Sequence, residues 1–283
     1  MNYTPLSTIS PRSYIRAILA IAKKDWLHFL RYPLEGMFRI IEPVMWLTPI
    51  YFLGRSFATS NGATGFAAYV GTVDYMSFVL IGGIISSYVS AVFWGMGFSL
   101  KREMDSGVLE SNWMAPLPRP LFLIGQTVAS ISITSVNSVV VLFLAWRIFG
   151  FHVTGHLFPA LLALAPMLVA LYGFGFAFAG LVLLLKDANT MVDVANFMVI
   201  GLAGSQFPVQ VLPRVLIPVA LALPLTYGYD AVRGYLLGTR TLIPIHDELV
   251  ILLVFMVVMT VAGYAFFRMI ERHVKVRGTL GTH

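Results

Sequence analysis

His152 and His156 stand four residues apart, the spacing at which two imidazoles on one helix face could share a metal ion. Thr154 and Gly155 between them argue instead for a turn, so a solvated loop is the simpler reading. His246-Asp247-Glu248 is a second metal-like grouping, but it directly precedes an apolar run, where acids serve the positive end of a helix. Glu42 and Asp193 are the carboxylates nearest to apolar stretches, the setting expected of a proton relay in a bilayer. Each also has a simpler partner: Arg39 one helical turn before Glu42, and Lys186 close ahead of Asp193. No H-E-x-x-H or G-x-S-x-G motif occurs, and no Gly-Lys dipeptide, which excludes a G-x-x-x-x-G-K-[ST] phosphate loop. With no cysteine, thiolate metal sites, disulfides and cysteine nucleophiles are excluded as well.

Two further patterns carry polar chemistry through apolar sequence. Thr127, Ser130, Thr134, Asn137 and Ser138 recur at i, i+3, i+7, i+10 and i+11, a polar stripe along one helical face. It reads either as hydrogen-bonding glue between helices or as the lining of a pathway for a polar group. Gly82, Ser86 and Ser90 form a small-residue line at i, i+4 and i+8, the pattern of close helix packing.

The elements that must position these residues are membrane helices. Hydrophobic residues make up 58% of 283 positions and charged residues only 11%, with a mean hydropathy of +0.82, which describes an integral membrane protein. Runs near the ~20 apolar residues that a span requires fall at about 37–57, 75–98, 121–146, 159–185, 189–205 and 248–270. The fold class expected is therefore all-α, with six transmembrane helices in a single domain over residues 1–283. Residues 206–246 are too apolar for an ordinary loop and too rich in proline (Pro208, Pro213, Pro218, Pro224, Pro244) for one straight helix, which predicts a re-entrant helical segment between spans five and six. The N-terminal apolar run, Ala17 to Ala22, is too short for a cleavable signal peptide and is followed at once by Lys23 and Lys24. Residues 12–33 instead place Ile15, Ile18, Leu19, Ala22, Trp26, Phe29 and Leu30 on one helical face, predicting an amphipathic helix on an anionic leaflet.

The formal charge of +6 resides in basic residues that flank apolar runs, which argues against nucleic acid as a partner. With a cytoplasmic N-terminus, fourteen Lys and Arg fall inside and five outside, so both termini are expected in the cytoplasm of a multi-pass cell-membrane protein. The inside set includes the stretch 99–120, in which Lys101, Arg102, Glu103, Asp105, Glu110 and Arg119 concentrate charge in a chain that is only 11% charged. Glu103, Asp105 and Glu110 provide an acidic edge, while Val108, Leu109, Trp113 and Met114 provide apolar surface that a partner's groove could bury. Gly107 permits a change of direction, and Pro116, Pro118 and Pro120 stop a helix before the third span.

The order of these pieces resembles the permease subunit of type-2 ABC exporters over nearly the whole chain. The likeness rests on Lys24-Asp25-Trp26 to Arg31-Tyr32-Pro33, Glu103-Met-Asp-Ser-Gly107-Val-Leu-Glu110 with Ala115-Pro116, and Leu223-Pro224-Leu225-Thr226-Tyr227 with Ala231-Val232-Arg233-Gly234. Val108 and Ala115 stand where the family commonly has threonine. The resemblance implies a permease dimer, of two copies or of two related chains, with soluble ABC ATPase subunits docked beneath it. It makes residues 99–120 the coupling helix, with Arg102, Glu103, Asp105, Gly107, Val108, Leu109, Glu110, Trp113 and Met114 as ATPase-coupling residues. ATP and magnesium belong to the partner, and this chain is expected to bind no cofactor and to catalyse no reaction. The implied substrate is amphiphilic: a drug, lipid or glycan-lipid exported from the cytoplasm or inner leaflet. Two other classes compete with this reading. An ion-coupled transporter working alone predicts duplicated halves and midplane acids, and a membrane enzyme predicts a His, Asp or Glu cluster at one interface.

Overall fold

The computed structural model describes residues 11–57, 64–98, 119–151, 155–185 and 189–277. Every regular element among the described residues is helical. The N-terminal α1 (Pro11–Arg31) is separated by one residue from α2 (Pro33–Phe57), and a short α3 (Thr64–Val70) leads to α4 (Tyr75–Phe93). The Asp74 side chain caps α4 by accepting from the Ser77 backbone N–H at 3.0 Å. A π-helical turn, Trp94–Phe98, continues α4 towards residue 99. There follow α5 (Arg119–Phe149), α6 (Leu157–Leu185) and α7 (Asn189–Leu202). A 3-10 turn (Val209–Val211) and α8 (Ile217–Leu221) then precede α9 (Pro224–Leu237) and α10 (Ile245–Arg277).

Among the described residues, four helices are long and apolar enough to cross a membrane: Tyr75–Met96, Leu121–Phe149, Leu157–Leu185 and Ile245–Val274. They coincide with the second, third, fourth and sixth expected spans. At the first expected span, α2 is a continuous 25-residue helix that contains Pro43 and Pro49. At the fifth, α7 is apolar but only 14 residues long, because the chain turns at Gly204 with φ +79°. Between α7 and α10 the prolines fall at element boundaries, as their missing N–H groups and fixed φ require. Pro208 precedes the 3-10 turn, Pro218 and Pro224 occupy the first turns of α8 and α9, and Pro244 precedes α10.

The most extensive packing joins α6 to α10. Gly173 and Gly263 permit it: a Cβ on Gly263 would lie 1.8 Å from the Gly173 carbonyl oxygen, so the two backbones touch. Such contact is the usual use of small residues in membranes, where close backbone approach gains dispersion and weak polar contacts. Around this pair, α4 forms the centre of the bundle, with 61% of its apolar window buried against 11% for α10. Phe93, at the end of α4, meets Phe174 and Phe178 of α6 edge-on at 5.6 and 5.5 Å.

The N-terminal helix is docked on the bundle. The Trp26 indole N–H donates to Ser132 Oγ of α5 at 2.7 Å, and Ile21 packs against Gly125. Its apolar face is thereby divided, with Ala22 buried against the protein while Ile15, Leu19 and Leu30 remain exposed.

Candidate functional site

The densest polar construction among the described residues lies where α4 begins and α9 runs, and its centre is Arg233. That side chain is buried, with only 2% of its surface exposed. Its Nε donates to the Phe78 carbonyl at 3.1 Å, Nη1 to the Gly204 carbonyl at 2.7 Å, and Nη2 to the Ser205 carbonyl. One guanidinium thus gathers three stretches of backbone: the first turn of α4, the turn after α7, and its own helix. The planar fork of donors allows this, and a lysine could not reproduce it. The guanidinium carbon also lies 3.5 Å from the centroid of the Phe78 ring, so the cation is held over an aromatic face.

Sequence explains why these groups can meet. A Cβ on Gly82 would lie 1.8 Å from the Ser205 oxygen and 2.2 Å from Arg233 Nη2, so only glycine leaves room for the clasp. One turn along α4, Ser86 Oγ is 2.7 Å from the buried Tyr229 hydroxyl, and one turn further Ser90 exchanges hydrogen bonds of 3.1 and 3.2 Å with Asn196 of α7. The line Gly82, Ser86 and Ser90 is therefore a packing seam joining α4 to α9 and α7. On another face of α4, Tyr88 donates to Ser135 of α5 at 3.0 Å.

The loop between α9 and α10 closes over this knot. The Asp230 carboxylate accepts from the Leu242 backbone N–H at 2.5 Å, and the Arg240 N–H donates to the Val70 carbonyl at 2.8 Å. Gly238, at φ +65°, ends α9 in the left-handed conformation that starts this loop. Burial pulls the Arg233 guanidinium down to about 9 and pushes the Asp230 carboxyl above its ordinary range, against their mutual attraction. Glu248, in the first turn of α10, is fully buried beside Asp230 and close to the backbone N–H groups of Leu242 and Ile243. A small cavity of about 20 Å³, lined by Phe78, Gly204, Thr226, Tyr229, Asp230 and Arg233, adjoins the knot. It has room for one water molecule.

The donors of Arg233 are directed to backbone carbonyls, so the knot holds elements together rather than attacking a substrate. No group of three or more His, Asp or Glu able to hold a metal ion occurs among the described residues. His156 is exposed and its backbone N–H donates to the Tyr235 carbonyl at 2.9 Å, while His152 lies outside the described residues. His246 and Asp247 form an exposed pair at 3.6 Å. Glu42 and Asp193 are exposed, and the side chains of Arg39 and Lys186 lie outside the described residues.

Of the polar stripe on α5, Thr127 and Ser138 are buried, and Ser130, Thr134 and Asn137 are half-buried. Thr127 donates to the Leu123 carbonyl at 2.8 Å, and Ser130 faces Gly95 of the π-helical turn. Arg102, Glu103, Asp105, Gly107, Val108, Leu109, Glu110, Trp113 and Met114 lie outside the described residues. Reasoning from sequence did not single out Arg233, Asp230 and Glu248 as a site. The available signal was an Asp and an Arg three apart, with an acid nearby, in otherwise apolar sequence.

Compared with known proteins, the chain matches no curated protein. A family model described as ABC-2 type transporter matches residues 16–237, from α1 to the end of α9, and so takes in both the Arg233 knot and the stretch 99–120. The match covers most of the chain and ends one residue before the Gly238 cap, and with its long apolar helices the chain belongs to the ABC-2 type transporter family, as a membrane transport component.

Proposed function

We propose that the protein is the permease subunit of an ATP-binding cassette exporter, moving an amphiphilic substrate such as a drug, lipid or glycan-lipid out of the cytoplasm or inner leaflet. The observation that carries this reading is the ABC-2 type transporter match over residues 16–237. In this reading ATP and magnesium bind to separate soluble subunits, and two permease chains enclose the pathway. The chain crosses the bilayer six times, with α2 and α7 completing the set, both termini in the cytoplasm, and residues 206–246 forming a re-entrant cap on the outer side.

Residues 99–120 are the coupling segment, and the geometry around them supports a mechanical role. The segment joins the π-helical end of α4 to the start of α5, and α4 is fastened at its first turn by Arg233 and along its length by Ser86 and Ser90. Movement imposed on the segment by a closing ATPase would therefore pass into α4 and α5, while the cap holds the far end of α4. A π-helical turn is rare and is found often at functional sites, which suits such a junction. The burial of Thr127 and Ser138 supports helix packing as the role of at least part of the polar stripe.

Co-purification with an ATPase subunit and reconstitution into proteoliposomes tests the proposal. The expected result is export that requires ATP and the second subunit. Transport by this chain alone, driven by an ion gradient, would establish the competing ion-coupled class instead.

A further inference from the structure

One face of α10 changes character along its length. Val250, Val254, Val257 and Val261 recur at helical spacing and are 48–65% exposed, and the same face continues into Tyr264, Arg268 and Arg272. At 1.5 Å per residue, Val250 and Arg268 are separated by about 27 Å of helix, close to the thickness of a hydrocarbon core. At the basic end Tyr264, Ala265, Arg268, Met269, Arg272 and His273 line an open stretch of the surface. Arg268 is partly offset by the buried Glu271, whose carboxylate lies 3.4 Å from its Nη1. Arg272 and His273 are exposed on the turn beyond. The face therefore combines an apolar track as long as an acyl chain's leaflet path and more, an amphipathic tyrosine at its margin, and net positive charge immediately after it.

We propose that this face of α10 is a binding site for an anionic phospholipid, with the phosphate at Arg272 and Arg268 and the acyl chains along the valine track. The proposal rests on the membrane reading of the chain and not on ATP-driven export. Charge complementarity selects the anionic headgroup. The apolar track distinguishes a lipid from the acidic surface of a soluble partner, which would meet the arginines but leave the valines bare. A second copy packed through this face by two-fold symmetry would bring like-charged arginine clusters together.

The test uses the full chain purified in neutral detergent, probed with dioctanoyl phosphatidylglycerol and dioctanoyl phosphatidylcholine by native mass spectrometry. The wild type is expected to bind the anionic lipid in preference to the zwitterionic one. Arg272→Gln should weaken phosphatidylglycerol binding several-fold, in keeping with the attraction expected of one basic residue near an anionic headgroup, and Arg272→Lys should restore it. Arg272 is exposed, so neither variant endangers folding, and an unshifted melting curve verifies this. Arg214→Gln, in the exposed turn before α8, should leave the preference intact. Equal binding of the two lipids by the wild type, or an Arg272→Gln variant that keeps the full preference, overturns the proposal. Disulfide-linked dimers formed efficiently by Val257→Cys overturn it too, by placing a second copy on the track. A failure of ATP-dependent export leaves all of these readouts in place, so the two proposals fail separately.

Discussion

Arg233 and Gly82 occupy a single space: Arg233 Nη2 stands 2.2 Å from where a Cβ on Gly82 would be, and the Ser205 carbonyl that it binds stands closer still. The absence of a side chain on α4 is what lets α9 and the turn after α7 close on it. Gly82→Ala should push the clasp open and lower stability by about 1–3 kcal/mol, as overpacking does. Thermal unfolding in detergent measures this. Gly83→Ala is the matched control, since nothing lies within 4 Å of its added methyl, and it should be neutral or slightly stabilising. Equal stability of the two variants would contradict the close approach.

Arg233 itself should tolerate no replacement. Arg233→Met leaves the Phe78, Gly204 and Ser205 carbonyls without their donor and Asp230 without its neighbouring cation, a loss of about 3–5 kcal/mol by analogy with broken buried pairs. Arg233→Lys keeps the charge but cannot span three carbonyls, so it should recover only a minor part of the loss. Protease sensitivity of the α7–α8 link would rise in both variants, and full recovery by lysine would show that charge alone matters.

The contact between α6 and α10 makes a separate prediction. Gly263→Ala places a methyl 1.8 Å from the Gly173 oxygen, and Gly173→Ala places one 2.2 Å from Met259, so each should force the helices apart. A loss of about 1–3 kcal/mol is expected for each. The two substitutions disturb the same contact, so the double variant should lose less than the sum. Strict additivity would argue against a shared contact.

Docking of α1 depends on one polar contact that a double-mutant cycle can isolate. Trp26→Phe and Ser132→Ala each remove the 2.7 Å hydrogen bond, and a coupling of about 0.5–1.5 kcal/mol is expected. A coupling of zero would mean that this hydrogen bond does not help to hold α1.

For the proposed coupling segment, Glu110→Arg reverses one charge of the acidic edge and Trp113→Ala removes the largest apolar side chain in the stretch. Both should weaken ATPase binding or uncouple ATP hydrolysis from transport, by tenfold or so for a residue at the centre of an interface. The melting temperature of the permease should remain unchanged. Unaltered assembly together with unaltered substrate-stimulated hydrolysis would remove the segment from the proposed interface.

What composition and periodicity could determine was the class of environment. Runs such as 159–185 must leave water whatever surrounds them, because burial of apolar area is a property of the run itself, and four of the expected spans are helices of spanning length. Proline positions were equally legible, since the constraint on φ and the missing donor are local, and the breaks at Pro218, Pro224 and Pro244 follow from them. The family order could also be read from short motifs, including the one that contains Arg233.

The sequence alone could not say what Arg233 touches. Its partners lie 155, 29 and 28 residues away along the chain and are backbone carbonyls, which carry no sequence signature. The same holds for Gly82 and Gly263, whose value is the space that they leave for a distant backbone. Glu248 shows the limit most plainly. Its position before an apolar run marks a helix start, and α10 does start there. That its carboxyl turns inward beside Asp230 was decided by the tertiary structure, because only the packing of α9 against α10 determines which side of that first turn is enclosed.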